Sequence, residues 1–337
     1  MILAIREWRL FIFGVVFVLS MLNHASGEAE KISSHPTRIH GTYIQLWSYH
    51  DDWDYGRWRR LFYYFRRLGL KQLIVQWTVY DEADVMPGSL KVGPLETILK
   101  LADDAGIRVL VGLGSGPNYW EKIQQPPESV KEYLKYKLQR SSVIAKELFP
   151  LVNKHGSFNG WYIPEEIDDV NWRNIKSRRV LFFYLRDLSA HLKKITPNQP
   201  VAISCFSNAA MSPSDFEKFW RDLLKTTKID IILFQDGIGV NKLTFEKLPV
   251  YLEAVQKAVE KNDRQLQVVI EIFSQTNGHP VDQDDFQAIP ASLSRIKRQM
   301  SLSSAYTSNI IAFSVPEYMT PLGGAKARQA YVDYLKR

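Results

Sequence analysis

WRRLFYYFRRLGLKQLIVQWT, residues 58–78, contains one complete unit of the pattern that organises the whole chain. Trp58, Leu61, Phe62, Phe65 and Leu68 recur at three- and four-residue spacing with Arg59, Arg60, Arg66 and Arg67 opposite, which predicts a helix with one apolar face. Gly69 stands where a glycine ends such a helix. Gln72–Thr78 is too short for a helix and too apolar for an alternating surface strand, so it reads as a parallel strand covered on both faces.

Outward from this unit the pattern repeats in both directions. Further strands are predicted at Gly41–Trp47, Arg108–Leu113, Gly160–Ile167, Pro200–Phe206, Ile229–Gln235, Gln267–Phe273 and Asn309–Val315. Amphipathic helical stretches lie between and after them at Leu95–Ala105, Val130–Val152, Asn174–Ile195, Asp215–Thr226, Phe245–Lys261, Asp285–Leu302 and Lys326–Lys336. Strand then helix, eight times over, is the order of an α/β protein built as a (β/α)8 TIM barrel. A doubly wound open sheet would need fewer strands and a Gly-rich first turn, and neither GxGxxG nor a Walker-type loop occurs. No Pro/Gly/Ser-rich linker divides the chain, so residues 37–337 are expected to form a single domain.

Composition narrows the function classes. The 337 residues are 45% hydrophobic, ample for a large core and incompatible with disorder as the main state. The single Cys, Cys205, excludes an intramolecular disulfide framework and a Cys-rich zinc site. Lys and Arg number 43 against 36 Asp and Glu, an interspersed excess of +7 that gives no reason to expect nucleic acid as a partner. The N-terminus reads as an address: Arg6 and Arg9 precede the apolar run Leu10–Leu22, and Ala25-Ser26-Gly27 offers small residues for cleavage. Thirteen apolar residues are short against the roughly 20 that span a bilayer. The expectation is a signal peptide over residues 1–27, a periplasmic or secreted bacterial location, and no stable membrane span after cleavage.

In a barrel of this kind the chemistry sits where the strands end. Those ends carry Gln45 and Trp47; Gln76, Trp77 and Tyr80; Glu165, Glu166 and Asp168; Gln235 and Asp236; Glu271; and Glu317 and Tyr318. Breaking a glycosidic bond takes one carboxylic acid to protonate the leaving oxygen and a second carboxylate as nucleophile or base. Amides can bond sugar hydroxyls, and flat rings can stack on pyranose faces. Glu166 and Glu271 are therefore the expected catalytic pair, with Asp236 as a third candidate. Gln45, Trp47, Gln76, Trp77, Tyr80, Glu165, Asp168, Gln235, Glu317 and Tyr318 are the expected substrate-binding set. Glu166 is preferred to Glu165 because alternation puts Glu165 on the side of Trp161 and Ile163, the side that packs against helices. Plainer roles compete: Asp168 and Asp169 can cap the next helix, and Asp236 before Gly237 can make a turn. The seven His are not spaced as a metal-ligand pair, and no strand interior carries a Schiff-base Lys, so no metal and no cofactor are expected.

The segments GTYIQLW (41–47), LIVQWTVYD (73–81), GWYIPEEIDD (160–169), FQDGIGV (234–240) and VIEIF (269–273) resemble a family of bacterial barrel proteins catalogued as a domain of unknown function and related to the glycoside hydrolases. The resemblance covers nearly all of the chain after the leader, and by analogy implies a sugar-processing role. More distantly, Glu on strands 4 and 7 is similar to the large retaining glycosidase clan. That clan has Asn before the strand 4 acid, where this chain has Glu165. The reading is an exported glycoside hydrolase acting on a polysaccharide or oligosaccharide. Its rival is a non-catalytic carbohydrate-binding protein of a polysaccharide export or biofilm system.

Overall fold

A computed structural model describes residues 38–80, 90, 92–277 and 286–337; the expected signal segment lies outside the described residues. Eight strands form the ring: β1 (Gly41–Ile44), β2 (Gln72–Val75), β3 (Arg108–Gly112), β4 (Phe158–Ile167), β5 (Val201–Cys205), β6 (Ile231–Gln235), β7 (Gln265–Glu271) and β8 (Ile310–Phe313). Each pairs in parallel with its successor, and β8 closes onto β1 with Ile311 opposite Gly41. The long helices are α1 (Tyr55–Leu68), α2 (Gly93–Ala105), α3 (Pro127–Val152), α4 (Ile175–Ile195), α5 (Pro213–Thr226), α6 (Leu248–Glu260), α7 (Leu293–Ser304) and α8 (Ala325–Leu335). The expected (β/α)8 barrel is the observed fold. Among the described residues no helix is long and apolar enough to cross a membrane.

Local chemistry sets the helix ends. Asp54 accepts the Arg57 N–H at 2.6 Å to start α1, and Gly69 ends it in the left-handed region at φ 78°. Asn174, Ser212 and Ser292 cap α4, α5 and α7 in the same way. The seventh helix corrects the expectation of a helix from Asp285. Ala288–Pro290 is a short strand, antiparallel to Phe273–Gln275, and α7 begins only after Ser292. Pro290 is tolerated at that strand's end but would break a helix interior.

Alternation divides the strand residues between two cores. Tyr43, Ile74, Leu110, Tyr162, Ala202, Leu233, Val269 and Ile311 fill the barrel. Their neighbours Ile44, Leu73, Val75, Val109, Trp161, Ile163, Ile203, Cys205, Phe234, Val268 and Ile270 pack in the shell beneath the helices. At the base of the barrel Gln72 Nε2 donates to Gln267 Oε1 at 2.9 Å, closing the interior with a pair of amides. Cys205 is fully buried, and burial with the nearby charges of Asp169 and Glu166 pushes its thiol well above its ordinary range.

Strand β4 is the longest and the least regular. Against β5, Ile163 faces Ile203 but Ile167 faces Cys205, so two extra residues bulge out at Pro164–Glu166. Before the bulge, Gly160 has φ 118°, and a Cβ there would lie 2.2 Å from the Pro200 carbonyl oxygen. Gly160→Ala is expected to destabilise the fold by about 3 kcal/mol in urea unfolding. A loss below about 1 kcal/mol would mean that the β4–β5 approach is not tight.

Candidate active site

The strand positions that continue the interior pattern toward the C-terminal mouth are Gln45, Gln76, Glu166, Gln235, Glu271 and Phe313. All six line one cavity of about 400 Å3. Trp47, Trp77, Tyr80, Tyr119, Trp120, Phe206, Lys242, Phe273, Phe286, Glu317 and Tyr318 complete much of its wall.

Glu166 is the meeting point of an amide chain. Gln45 Nε2 donates to Gln76 Oε1 at 2.9 Å, Gln76 Nε2 donates to Glu166 Oε1 at 3.4 Å, and Gln235 Nε2 donates to the same oxygen at 2.8 Å. Tyr119 donates its hydroxyl to the Glu166 carbonyl at 2.9 Å. Burial holds the Glu166 carboxyl above the usual carboxylate range; the Gln235 hydrogen bond and the Lys242 charge oppose this.

Glu271 ends β7 with Phe313 as its register partner on β8. Its side chain is buried, and Oε2 accepts the Val240 N–H at 3.0 Å. The loop after β6 reaches it because residue 239 is glycine. A Cβ there would lie 2.8 Å from the Glu271 Cβ and 2.6 Å from the Phe273 carbonyl oxygen. Burial first and the Asp236 charge second push the Glu271 carboxyl up; the Val240 N–H and Lys242 oppose them.

Rings form the sides of the cavity. Trp47, Trp77 and Tyr80 make a mutual cluster, with centroids 4.9 Å apart for Trp47–Trp77 and Trp47–Tyr80 and 5.1 Å for Trp77–Tyr80. Trp77 is oriented by its indole N–H, which donates to the Leu46 carbonyl at 2.9 Å. Trp120 and Phe206 are 5.8 Å apart, and Lys242 Nζ lies 3.5 Å from the Phe206 ring centroid. Tyr318 leans on Phe273, and its hydroxyl is raised to about 12 by burial and by the charges of Glu317 and Glu271. Glu317 is half-buried and takes a hydrogen bond from the Ser314 hydroxyl. Burial raises its carboxyl as well.

Ten of the thirteen expected site residues line this cavity: Gln45, Trp47, Gln76, Trp77, Tyr80, Glu166, Gln235, Glu271, Glu317 and Tyr318. Three do not reach it. Glu165 turns outward, where Lys137 Nζ on α3 lies 2.8 Å from Oε1 and the Tyr184 hydroxyl on α4 donates to Oε2 at 2.8 Å. Asp168 accepts the backbone N–H groups of Val170 (2.8 Å) and Asn171 (2.6 Å), which makes it the organiser of its own turn. Asp236 is fully buried beneath α7, held by Gln299. Asp169 ties the next loop, accepting Ser207 Oγ at 2.7 Å and the N–H groups of Asn208 and Ala210 at 2.8 and 2.9 Å. Sequence reasoning missed Lys242, Phe206, Phe273 and Phe313. Phe313 was within reach of the alternation rule, whereas Lys242 lies in a loop without periodicity. Among the described residues no group of three or more His, Cys, Asp or Glu is gathered to hold a metal ion.

A family model described as "Domain of unknown function (DUF4434)" matches residues 39–324. The chain belongs to this family. A curated relative is the uncharacterized protein YbcH of Escherichia coli (strain K12), 30% identical over 200 residues. The match covers 59% of this chain, and this chain spans 64% of that protein's length. Among solved structures, the barrel is similar to a candidate alpha-L-fucosidase from Bacteroides thetaiotaomicron VPI-5482, with TM-score 0.71 and 20% identity over 92% of this chain and 97% of that one. It is also similar to a thermostable mutant of a xylanase from Cellvibrio japonicus, with TM-score 0.54 and 12% identity over 89% and 98% of the two chains. A beta-galactosidase from Marinomonas ef1 aligns with TM-score 0.58 and 10% identity over 86% of this chain and 55% of that one. This DUF4434 chain therefore has a fold shared with glycoside hydrolases.

The Lys137–Glu165 pair lies directly behind the cavity and tests how the β4 bulge is held. Lys137→Met strands a buried carboxylate and is expected to cost roughly 3 kcal/mol or more of unfolding free energy. Lys137→Met with Glu165→Leu is expected to recover most of that loss. If the double variant is no more stable than the single one, the ion pair is not what seats the bulge.

Proposed function

We propose that the chain is an exported glycoside hydrolase in which Glu166 is the general acid/base and Glu271 the nucleophile. The observation that carries this reading is the single cavity that holds both carboxylates, from β4 and β7, among stacked rings and amides. Glu166 suits the proton-transfer role by its contacts: the amides of Gln235 and Gln76 steady the carboxylate left when the proton goes to the leaving oxygen. Glu271 has one oxygen anchored to Val240, which fixes the carboxylate for attack on the anomeric carbon. Water then releases the sugar, with Glu166 acting as base. Trp47, Trp77, Tyr80 and Trp120 are the stacking surface, and Gln45, Gln76, Glu317 and Tyr318 bond the hydroxyls of a polysaccharide or oligosaccharide. The leader over residues 1–27 supports export, and a mature chain beginning near residue 28 in the periplasm or medium is the expected result of N-terminal sequencing.

The deciding experiment screens the purified protein against exopolysaccharides and aryl glycosides with reducing-end detection. Glu166→Gln and Glu271→Gln are each expected to lower kcat by roughly 10^2- to 10^4-fold while ligand binding persists. A wild-type protein that binds sugars and turns none over belongs instead to the carbohydrate-binding class. The pH profile carries a sign. Glu271 attacks only when ionised, and its raised pKa keeps it protonated to higher pH than an ordinary Glu. Activity is therefore lost as pH falls through a value above the usual carboxylate range. An acid limb of kcat/KM at the ordinary Glu position would sink this assignment.

A further inference from the structure

Behind the two carboxylates of the cavity stand two more, fully buried and differently held. Glu165, next to Glu166, faces the Lys137 ammonium at 2.8 Å. Asp236, next to Gln235 and behind Glu271, is held by amide N–H groups. Gln299 Nε2 on α7 donates to Oδ2 at 2.6 Å, and the backbone N–H groups of Ile238 and Glu271 donate to Oδ1, each at 3.2 Å. The same Gln299 Nε2 donates to the Glu271 carbonyl at 3.1 Å, so one side chain of α7 clasps both Asp236 and the Glu271 backbone. Arg295, one turn earlier, gives its guanidinium N–H groups to the carbonyls of Glu271 and Phe273 and to the Ser274 hydroxyl.

The groups facing Glu271 come from every element around it: Asp236 at the end of β6, Lys242 from the following loop, Arg295 from α7, and Tyr318 after β8. Burial raises the carboxyls of both Asp236 and Glu271, and the Asp236 charge raises Glu271 further. Lys242 opposes the rise at Glu271, and Arg295 opposes it at Asp236.

We propose that Asp236 is the positioning residue of Glu271: it fixes the Glu271 backbone through its hydrogen bond, and its charge makes Glu271 readier to give up its own charge to the sugar. This rests on the nucleophile role given to Glu271 above. In that step an oxygen of Glu271 forms a bond to the anomeric carbon while the bond from that carbon to the leaving oxygen breaks. The electron pair stays with the leaving oxygen, which takes the proton of Glu166. Glu271 passes from a carboxylate to a neutral ester, and the repulsion from Asp236 falls as it does so. An interaction that is unfavourable before the step and absent after it lowers the barrier between them. A turn alone would not need the charge, because Asn serves the Asp236–Ile238 turn equally well.

Asp236→Asn separates the two roles. It keeps the turn, and the Gln299 Oε1 atom, buried without a hydrogen-bond partner, gives the new amide an acceptor when the Gln299 side chain rotates. Two readouts apply: the pH profile of kcat/KM, and carbon-13 titration of the Glu carboxyls, with the Glu271 signal assigned by its loss in Glu271→Gln. The expected result is a Glu271 titration and an acid limb lower by about one pH unit or more, with kcat reduced at the optimum. A Glu271 titration that stays in place overturns the proposal, even if activity falls. Gln299→Leu withdraws the N–H that favours the Asp236 anion, and is expected to move the Glu271 titration in the same direction. It decides the matter if Asp236→Asn does not fold. The titration needs no turnover. A shift in a protein that hydrolyses no glycoside would leave the charge relation standing but overturn the hydrolase reading, and with it the catalytic half of this proposal.

Discussion

Eight strands closed into a ring leave each strand side chain two directions, into the barrel or out toward the helices, and chain order allows no third. Gln45, Gln76, Gln235 and Glu271 lie in the cavity because they continue the inward series of Tyr43, Ile74, Leu233 and Val269. Their neighbours continue the outward series, and the same rule that brings Glu271 to the mouth sends Asp236 beneath α7. Only β4 departs, and its two-residue bulge still leaves Glu166 facing in and Glu165 facing Lys137. The site is thus a by-product of closure, refined by one irregular strand.

The constraint also explains why charge gathers in layers here. An outward carboxylate at a strand end is covered by helices and must find its partners there, an ammonium for Glu165 and amides for Asp236. An inward one faces the cavity and keeps access to whatever enters it. Glu166 and Glu271 are shaped by the layer behind them as much as by the cavity itself, which gives two chemically identical side chains different surroundings.

Much of this was legible in the sequence. The spacing of apolar residues in 58–78 and its echoes gave the barrel order, and the strand ends gave most of the cavity lining, because both follow from periodicity. Alternation along β4 separates Glu165 from Glu166, and the same alternation on β6 turns Asp236 toward Gln299 of α7 while Gln235 lines the cavity. Asp168 needed turn geometry that a strand pattern does not encode. Lys242 depends on the path of a loop, which is fixed by the close approach of Gly239 to Glu271 and not by any repeat. The helix expected from Asp285 failed for a local reason, Pro290 followed by the Ser292 cap.

Cys205 has a consequence outside the chemistry of the site. It is the only thiol in the chain, sits on the helix-facing side of β5, and is sealed from solvent in a setting that disfavours the thiolate. Thiol reagents attack the thiolate, so they reach this sulfur only when strands and helices part. The rate at which the protein takes up a thiol label is then a clock for the opening of the barrel wall, set into the chain at its fifth strand and undisturbed by any second cysteine.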